Sequence, residues 1–184
     1  MGRVLGLVLG LFLSGNAFAQ LGTLLTTAID VRTKAEVAHD LEIAADANKR
    51  LLKDKRAQWS GVTLLTFAQH VVLAGAVKTE EAKKLVEQVV RQDKRIRSFR
   101  NELLVGDTGS LVKDTALEVE INATLTATKG VHSVNMRWSS TGGHVVLMGV
   151  AQSGQEAGLA QQKIRGVKGV KKIVSHLRIA AAKK

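Results

Sequence analysis

The chain has 184 residues, no cysteine and a formal net charge of +11. This length suits one medium domain or two small ones. The absence of cysteine excludes disulfides and a lipid-modified N-terminal cysteine. The positive charge favours an anionic partner, although a merely solubilising surface charge gives the same composition.

The first segment, residues 1–19, has the pattern of a secretory signal peptide. Arg3 provides a short positive start, residues 4–13 are mainly apolar, and Ala17-Phe18-Ala19 forms a small-x-small cleavage signal before Gln20. The alternative is an uncleaved apolar N-terminus. We expect cleavage after Ala19 and no transmembrane helix in the mature chain. Outside the cytoplasm a basic protein does not meet nucleic acid, so its anionic partners are phospholipid headgroups or other envelope polyanions.

An internal repeat organises the remaining chain. Residues 70–77 read HVVLAGAV and residues 144–151 read HVVLMGVA, an offset of 74 residues. With that offset and no gap, 14 of 66 positions in residues 40–105 are identical to their partners in residues 114–179. The repeat predicts two copies of one small domain. The remaining segments are an N-terminal tether (residues 20–39), a linker (residues 106–113) and a basic tail (residues 180–184).

Each copy carries the same predicted elements. In the first copy, Asp40 is the expected N-cap of a helix over residues 41–52, and strands at 62–67 and 70–77 form a hairpin. Thr79 caps a second helix, and a strand over residues 96–105 ends the module. In the second copy, Gly142-Gly143 is the hairpin turn. The sequence predicts an α+β fold of two tandem αββαβ modules, each a three-stranded mixed sheet with two helices on one face.

The order of elements, the V-x-L-x-G motif of the second strand and the turn at residues 166–170 (GVKGV) resemble the BON domain. Two such modules after a secretory leader are similar to the DolP and OsmY group of Gram-negative envelope proteins. The resemblance implies a non-catalytic periplasmic protein, peripheral at the outer membrane, that maintains the envelope and binds anionic phospholipid. The alternative that it implies is a protein-interaction or chaperone-like module that assists outer-membrane proteins.

Two features depart from that group. The chain lacks a lipobox cysteine. Lipid-binding members also carry an aromatic residue near the start of the first helix of the second module, where this chain has Ala116, followed by Glu118 and Glu120. The sequence therefore predicts that this helix is poorly suited to an anionic surface.

Basic residues of the second module are the candidate lipid- or anion-binding site. No acid follows Glu156, whereas cations are frequent beyond it. Each cation near an anionic surface contributes about 1 kcal/mol. The alternative is a solvated basic face. The predicted binding residues are Lys163, Arg165, Lys168, Lys171, Lys172 and Arg178.

The sheet faces opposite the helices are the second candidate surface. Val72, Ala74 and Ala76 in one module correspond to the apolar residues Val146, Met148 and Val150 in the other. These faces are expected to form the contact between the modules, or otherwise an exposed partner-binding site. Trp59, in a basic loop, is a further candidate partner or membrane contact.

No catalytic, metal or cofactor site is predicted. His70 and His144 lack the carboxylate or cysteine ligands that a metal site needs. The segment Gly166-Val167-Lys168-Gly169 matches the GxxG of KH nucleic-acid modules, but a KH loop joins two helices and this one joins a helix to a strand. The chain contains no nucleophile elbow, HExxH motif or P-loop.

Overall fold

The computed structural model describes residues 30–54, 59–106 and 111–180. The predicted signal peptide, most of the tether and linker residues 107–110 lie outside the described residues. So do residues 181–184 of the predicted basic tail.

The first module contains two helices and four short strands. The helices are α1 (Lys34–Lys53) and α2 (Glu80–Val90), and the strands are β1 (Val62–Phe67), β2 (His70–Val77), β3 (Ser98–Asn101) and β4 (Leu104–Val105). The strand β2 is central, antiparallel to β1 and parallel to β3 and β4. The predicted continuous strand over residues 96–105 is wrong. It is interrupted at Glu102 and Leu103, and the side chain of Leu103 is buried in the core.

The second module repeats this order with one unbroken last strand. Its helices are α3 (Leu111–Ala127) and α4 (Gly154–Arg165), and its strands are β5 (Met136–Thr141), β6 (His144–Ala151) and β7 (Lys172–Ile179). The strand β6 is antiparallel to β5 and parallel to β7. A single 3₁₀ turn, Ser133–Asn135, precedes β5. The predicted α+β fold of two mixed-sheet modules is confirmed.

The first helix begins earlier than the sequence suggested. Thr33 is the N-cap of α1, and its hydroxyl accepts a hydrogen bond from the Glu36 N–H while Glu36 accepts one from the Thr33 N–H. This reciprocal capping box stabilises the start of the helix, so residues 34–39 are helical rather than a tether. Asp40 lies inside α1 and is not its N-cap.

Each module has its own core between its helices and one face of its sheet. In the first, Ile43 and Leu51 of α1 pack with Leu73 of β2 and Val86 of α2. In the second, Ile121 and Leu125 of α3 pack with Leu147 of β6 and Ile164 of α4. The remaining apolar residues of β2 and β6 point away from the helices, which leaves a second apolar face on each sheet.

Those two open faces bury each other. Leu65, Phe67, Val72 and Ala74 of the first module pack with Val146, Met148 and Val150 of the second. At the same contact, His176 Nε2 lies 2.8 Å from Glu102 Oε1, and these residues are 74 positions apart. Equivalent positions of the two copies thus meet, as at an isologous dimer interface. The predicted contact between the modules is confirmed, and the molecule is a four-layer helix–sheet–sheet–helix sandwich.

Candidate anion-binding surface

An aspartate carboxylate of the first helix fixes the hairpin turn of each module. The Asp114 carboxylate of α3 accepts hydrogen bonds from the N–H groups of Gly142 and Gly143 at 3.0 and 3.4 Å. The two glycines have φ angles of 58° and 83°, in the left-handed region that glycine adopts most readily. This contact brings the first turns of α3 to the β5–β6 turn. Asp114 therefore lies inside α3 and acts as an acceptor of the turn's amides.

The loop between α4 and β7 docks on the same turn. The N–H of Lys171 donates to the Gly143 carbonyl at 2.8 Å, and a Cβ on Gly143 would lie 2.5 Å from the carbonyl oxygen of Gly169. The side chain of Val167 is buried beneath the loop. Because Val167 anchors the loop to the core, Lys168, Lys171 and Lys172 stay on the outside.

Five of the six predicted cations share this end of the module. The last turn of α4, the loop and the start of β7 carry exposed side chains that together form the surface named here the basic end: Lys163, Arg165, Lys168, Lys171 and Lys172. None of the five forms an ion pair with any residue that the structure describes. Their positive charge is therefore available to an external anion.

The arginines at the corresponding end of the first module are paired with acids. Arg95 forms ion pairs with Glu42, Asp46 and Asp93, and Arg50 contacts the Asp93 carboxylate at 2.7 Å. The Arg95 guanidinium holds the pKa of Asp93 well below its usual range. Position 169, which corresponds to Arg95, is a glycine in the second module. The two copies thus differ in free charge at equivalent ends.

The sixth predicted residue, Arg178, does not belong to the basic end. It lies six residues beyond Lys172 along β7, roughly 20 Å away at the rise of an extended strand. There it interacts electrostatically with Glu36 and Asp40 of the first module. Its assignment to one binding surface with the lysines is corrected.

The outward face of α3 is more apolar than the sequence implied. Glu118 is buried, and its carboxylate accepts hydrogen bonds from the Ser140 N–H at 2.7 Å and the Ser139 hydroxyl at 3.0 Å. Of the acids noted on this helix, Glu120 is exposed, and the exposed aliphatic side chains Val112 and Val119 lie on the same helix. Of the two acids expected to make this helix poorly suited to an anionic surface, only Glu120 is on the outside.

Comparison with known proteins identifies the repeated unit. The model of the BON domain matches residues 39–107 and again residues 113–181. The chain belongs to the BON domain family. Both copies of the repeat are thus BON domains, a family that is generally non-catalytic and associated with membranes or phospholipid.

One curated relative matches most of the chain. It is an uncharacterized protein in the gshII 5′ region of Anaplasma centrale, 30% identical over an alignment of 148 residues, and the match covers 78% of this chain and 97% of that protein. Two solved structures are more distant, and both come from CdsD, a structural protein of the type III secretion system of Chlamydia trachomatis. They are 15% and 14% identical, with TM-scores of 0.34 and 0.33 over 77% and 75% of this chain. The matches span 65% and 66% of the CdsD chains, about two thirds of their length.

The predicted partner-binding residues are buried between the BON domains. Val146, Met148 and Val150 expose 6%, 2% and 7% of their surface, so they form the inter-domain contact and no exposed site. Trp59 is partly buried against the first core rather than free to anchor in a membrane. Both partner-binding assignments are therefore corrected, because packing within the chain already uses these side chains.

An arginine cluster at the edge of this contact was not predicted. The guanidinium carbons of Arg32 and Arg137 lie 4.3 and 5.4 Å from the ring centroid of Phe67, and Arg32 also forms ion pairs with Asp30 and Asp40. Burial, together with the nearby charge of Arg32, lowers the pKa of Arg137 to about 10. The Asp30-Val31-Arg32-Thr33 motif was the available signal. Arg32 contacts Phe67 of β1, and the Val31 N–H donates to the Asn135 side chain of the second domain. These partners are distant in the sequence, so no local sequence pattern predicts the contacts.

A cavity of about 440 Å³ opens beside the start of α4. Its buried acid, Glu156, accepts hydrogen bonds from the N–H groups of His132 and Gln152 at 2.6 and 2.7 Å. Both carboxylate oxygens of Glu156 therefore accept backbone hydrogen bonds that fix the loop before β5 and the segment before α4. Within residues 30–54, 59–106 and 111–180, no group of three histidines or carboxylates could hold a metal, and no helix is long and apolar enough to cross a membrane.

Proposed function

We propose that this protein is a non-catalytic periplasmic envelope protein that binds anionic phospholipid through the basic end of its second BON domain. The observation that carries the proposal is the set of five exposed cations at one end of the domain, unpaired within the described chain. Their arrangement suits a planar anionic surface because several cations act on it together. The association of BON domains with membranes or phospholipid supports the same function.

The neighbouring helix supplies an apolar contact for the same surface. The start of α3 is held at the basic end by the Asp114 bonds to the β5–β6 turn. Exposed Val112 and Lys113 lie in this first turn, and 78% of the Val112 side chain is accessible. An exposed valine among lysines fits the boundary between headgroups and acyl chains. Electrostatic attraction with shallow apolar contact gives reversible, salt-sensitive binding.

The chaperone-like alternative loses its proposed surface. It required exposed sheet faces, and those faces are the inter-domain contact. The residues of that contact are packed within the chain, so they do not support a client-binding role.

Vesicle co-sedimentation tests the lipid proposal. Binding to phosphatidylglycerol vesicles at low salt is expected, with little binding to phosphatidylcholine vesicles. Replacement of Lys168, Lys171 and Lys172 by glutamine removes three cations, each worth about 1 kcal/mol, so affinity should fall on the order of 100-fold. High salt should weaken the wild-type binding, because exposed charges are screened.

The matched control removes the same number of charges from the first BON domain. Lys49, Lys53 and Lys84 are exposed, and their replacement by glutamine leaves the basic end intact. The control variant should retain nearly wild-type binding. An equal loss in both triple variants would mean that only the overall charge matters, and the proposal would be rejected.

A further inference from the structure

The strand β7 is an eight-residue edge strand. It pairs with β6 along its whole length, from Lys172 opposite His144 to Ile179 opposite Ala151, and it is the last strand of the sheet order β5-β6-β7. Its residues are half-buried or exposed, whereas those of β6 are almost all buried. One side of the β7 backbone therefore has no strand beside it within the described part of the chain.

The alternation of the ladder identifies the outward-pointing amides. The N–H of Lys172 donates to the Gly143 carbonyl and that of Ala180 to the Ala151 carbonyl, so residues of even number point to β6. The N–H groups of Ile173, Ser175, Leu177 and Ile179 consequently point to the open side. Among the described residues, the one bond found for these four amides is a long contact of 3.4 Å from Leu177 to the Ser175 hydroxyl.

The equivalent edge of the first BON domain has no continuous row of outward-pointing amides. There the chain leaves the strand at Glu102 and Leu103, between β3 and β4. Leu103 turns into the core, and its N–H is satisfied by the Asn101 side chain at 3.2 Å. Interrupting an edge strand is a common way to prevent strand addition. The second domain lacks this interruption.

We propose that β7 binds an extended peptide segment of another protein by strand addition, and that this segment alternates acidic and apolar residues. Backbone hydrogen bonds to the four outward amides and their neighbouring carbonyls would provide the affinity. On the face shared with α4, β7 presents Ile173, Leu177 and Ile179, which suit apolar side chains of the added strand. The opposite face packs on the first domain, where His176 contacts Glu102. At the two ends of this face Lys172 and Arg178 are exposed, and Lys172, which has no acid beside it among the described residues, suits an acidic side chain best.

Charge favours a foreign segment over a second copy of the chain. The strand β7 carries Lys172 and Arg178, and no acidic residue. Pairing of two β7 strands would bring four cations into one small sheet edge, where like charges are destabilising. An acidic segment instead brings opposite charge to Lys172, and to Arg178 beside the acids Glu36 and Asp40 that it already faces.

Fluorescence anisotropy with a labelled peptide tests the proposal on the full chain. The probe is an eight-residue peptide in which glutamate and valine alternate. The control probe has the same composition with four glutamates followed by four valines, which preserves charge and removes the alternation. We expect saturable binding of the alternating peptide and at least tenfold weaker binding of the control probe.

Proline substitutions test the outward amides directly. Ser175→Pro removes an N–H that does not bond to β6, so the existing ladder is retained while strand addition is blocked. The variant should bind at least about tenfold more weakly, the equivalent of one lost backbone hydrogen bond of about 1.4 kcal/mol. Ser175→Thr keeps the N–H and should bind as wild type. Ile179→Pro, at the exposed end of the strand, repeats the test with less risk to folding.

Circular dichroism of each variant establishes that the fold is retained. In hydrogen exchange, the peptide should protect the amides of Ser175, Leu177 and Ile179. The proposal is overturned if the alternating peptide does not bind, or if folded Ser175→Pro and Ile179→Pro variants bind it as tightly as wild type. Concentration-dependent dimerisation that the proline variants abolish would also overturn it, since the occupant would then be a second copy.

Discussion

At the scale of single residues, two aspartates of the helices determine the shape of the hairpins. Asp114 accepts three hydrogen bonds, from the N–H groups of Gly142 and Gly143 and from the Ser140 hydroxyl. Because a hydrogen bond to a charged group contributes roughly 1.5–3 kcal/mol, Asp114→Ala should lower the free energy of unfolding by about 3 kcal/mol. Urea denaturation measures this. Glu120→Ala removes an exposed carboxylate from the same helix and should cost less than about 0.5 kcal/mol. Equal costs would contradict the role of Asp114.

The sequence marks these aspartates as equivalent but not as acceptors of the turn amides. Asp40 and Asp114 are identical across the 74-residue offset, and a lone aspartate before an apolar stripe resembles an N-cap. Asp40 instead accepts from the N–H groups of Ala68 and Gln69 at 2.8 and 2.6 Å, 28 and 29 residues along the chain. Local patterns do not reveal a partner at that separation.

Glu118 makes stability depend on pH with a defined sign. Burial raises the pKa of its carboxyl above the ordinary glutamate value, so the folded state binds this proton more tightly than the unfolded state. Its contribution is complete below the unfolded pKa and is lost as the pH rises through the folded pKa. Glu118→Gln should remove this decrease while keeping an acceptor for the Ser140 N–H. Thermal unfolding midpoints of wild type and Glu118→Gln, measured from pH 4 to 8, test this prediction. If the two midpoints change in parallel with pH, Glu118 does not cause the decrease in stability.

At the scale of elements, α4 is weakened by a glycine that packs against nothing. A Cβ at Gly158 would meet no atom within 4 Å, and the residue is exposed within the helix. Gly158→Ala should therefore stabilise the protein by about 1 kcal/mol. In contrast, a Cβ at Gly149 of β6 would lie 2.1 Å from the Asn135 carbonyl oxygen, and its φ is 128°. Gly149→Ala should destabilise strongly. Thermal denaturation of the two variants measures whether the midpoint rises for Gly158→Ala and falls for Gly149→Ala. A lower midpoint for Gly158→Ala would contradict the open space around that residue.

The type of each element, helix or strand, was predictable because the spacing of apolar residues recurs in both copies. The residues at which the elements begin and end were less predictable, because they depend on tertiary contacts. The strands predicted at 62–67 and 70–77, the hairpin turn at Gly142-Gly143 and the cap Thr79 are confirmed. The interruption after β3 was missed because residues 96–105 read as one alternating strand. Side-chain bonds from Asn101 to Glu87 and the burial of Leu103 decide that local shape, and both depend on tertiary packing.

At the scale of the whole molecule, the two BON domains should unfold as one unit because their sheets share a core. Each domain has about 66 residues, near the size at which a single core is marginal. Trp59 packs on the first core and Trp138 is buried in the second, so variants that keep one tryptophan report on each domain separately. We expect the two urea midpoints to coincide in the single-tryptophan proteins.

The side chain of Met148 tests this coupling. It is 2% exposed between the sheets, and its replacement by alanine should cost about 2–5 kcal/mol. Although Met148 belongs to the second domain, Met148→Ala should lower the midpoints reported by Trp59 and Trp138 together. Val112→Ala, which shortens an exposed side chain of the same domain, should shift neither. A shift of the Trp138 midpoint alone would mean that the domains fold independently, and the apolar sheet faces would again be available to an outside partner.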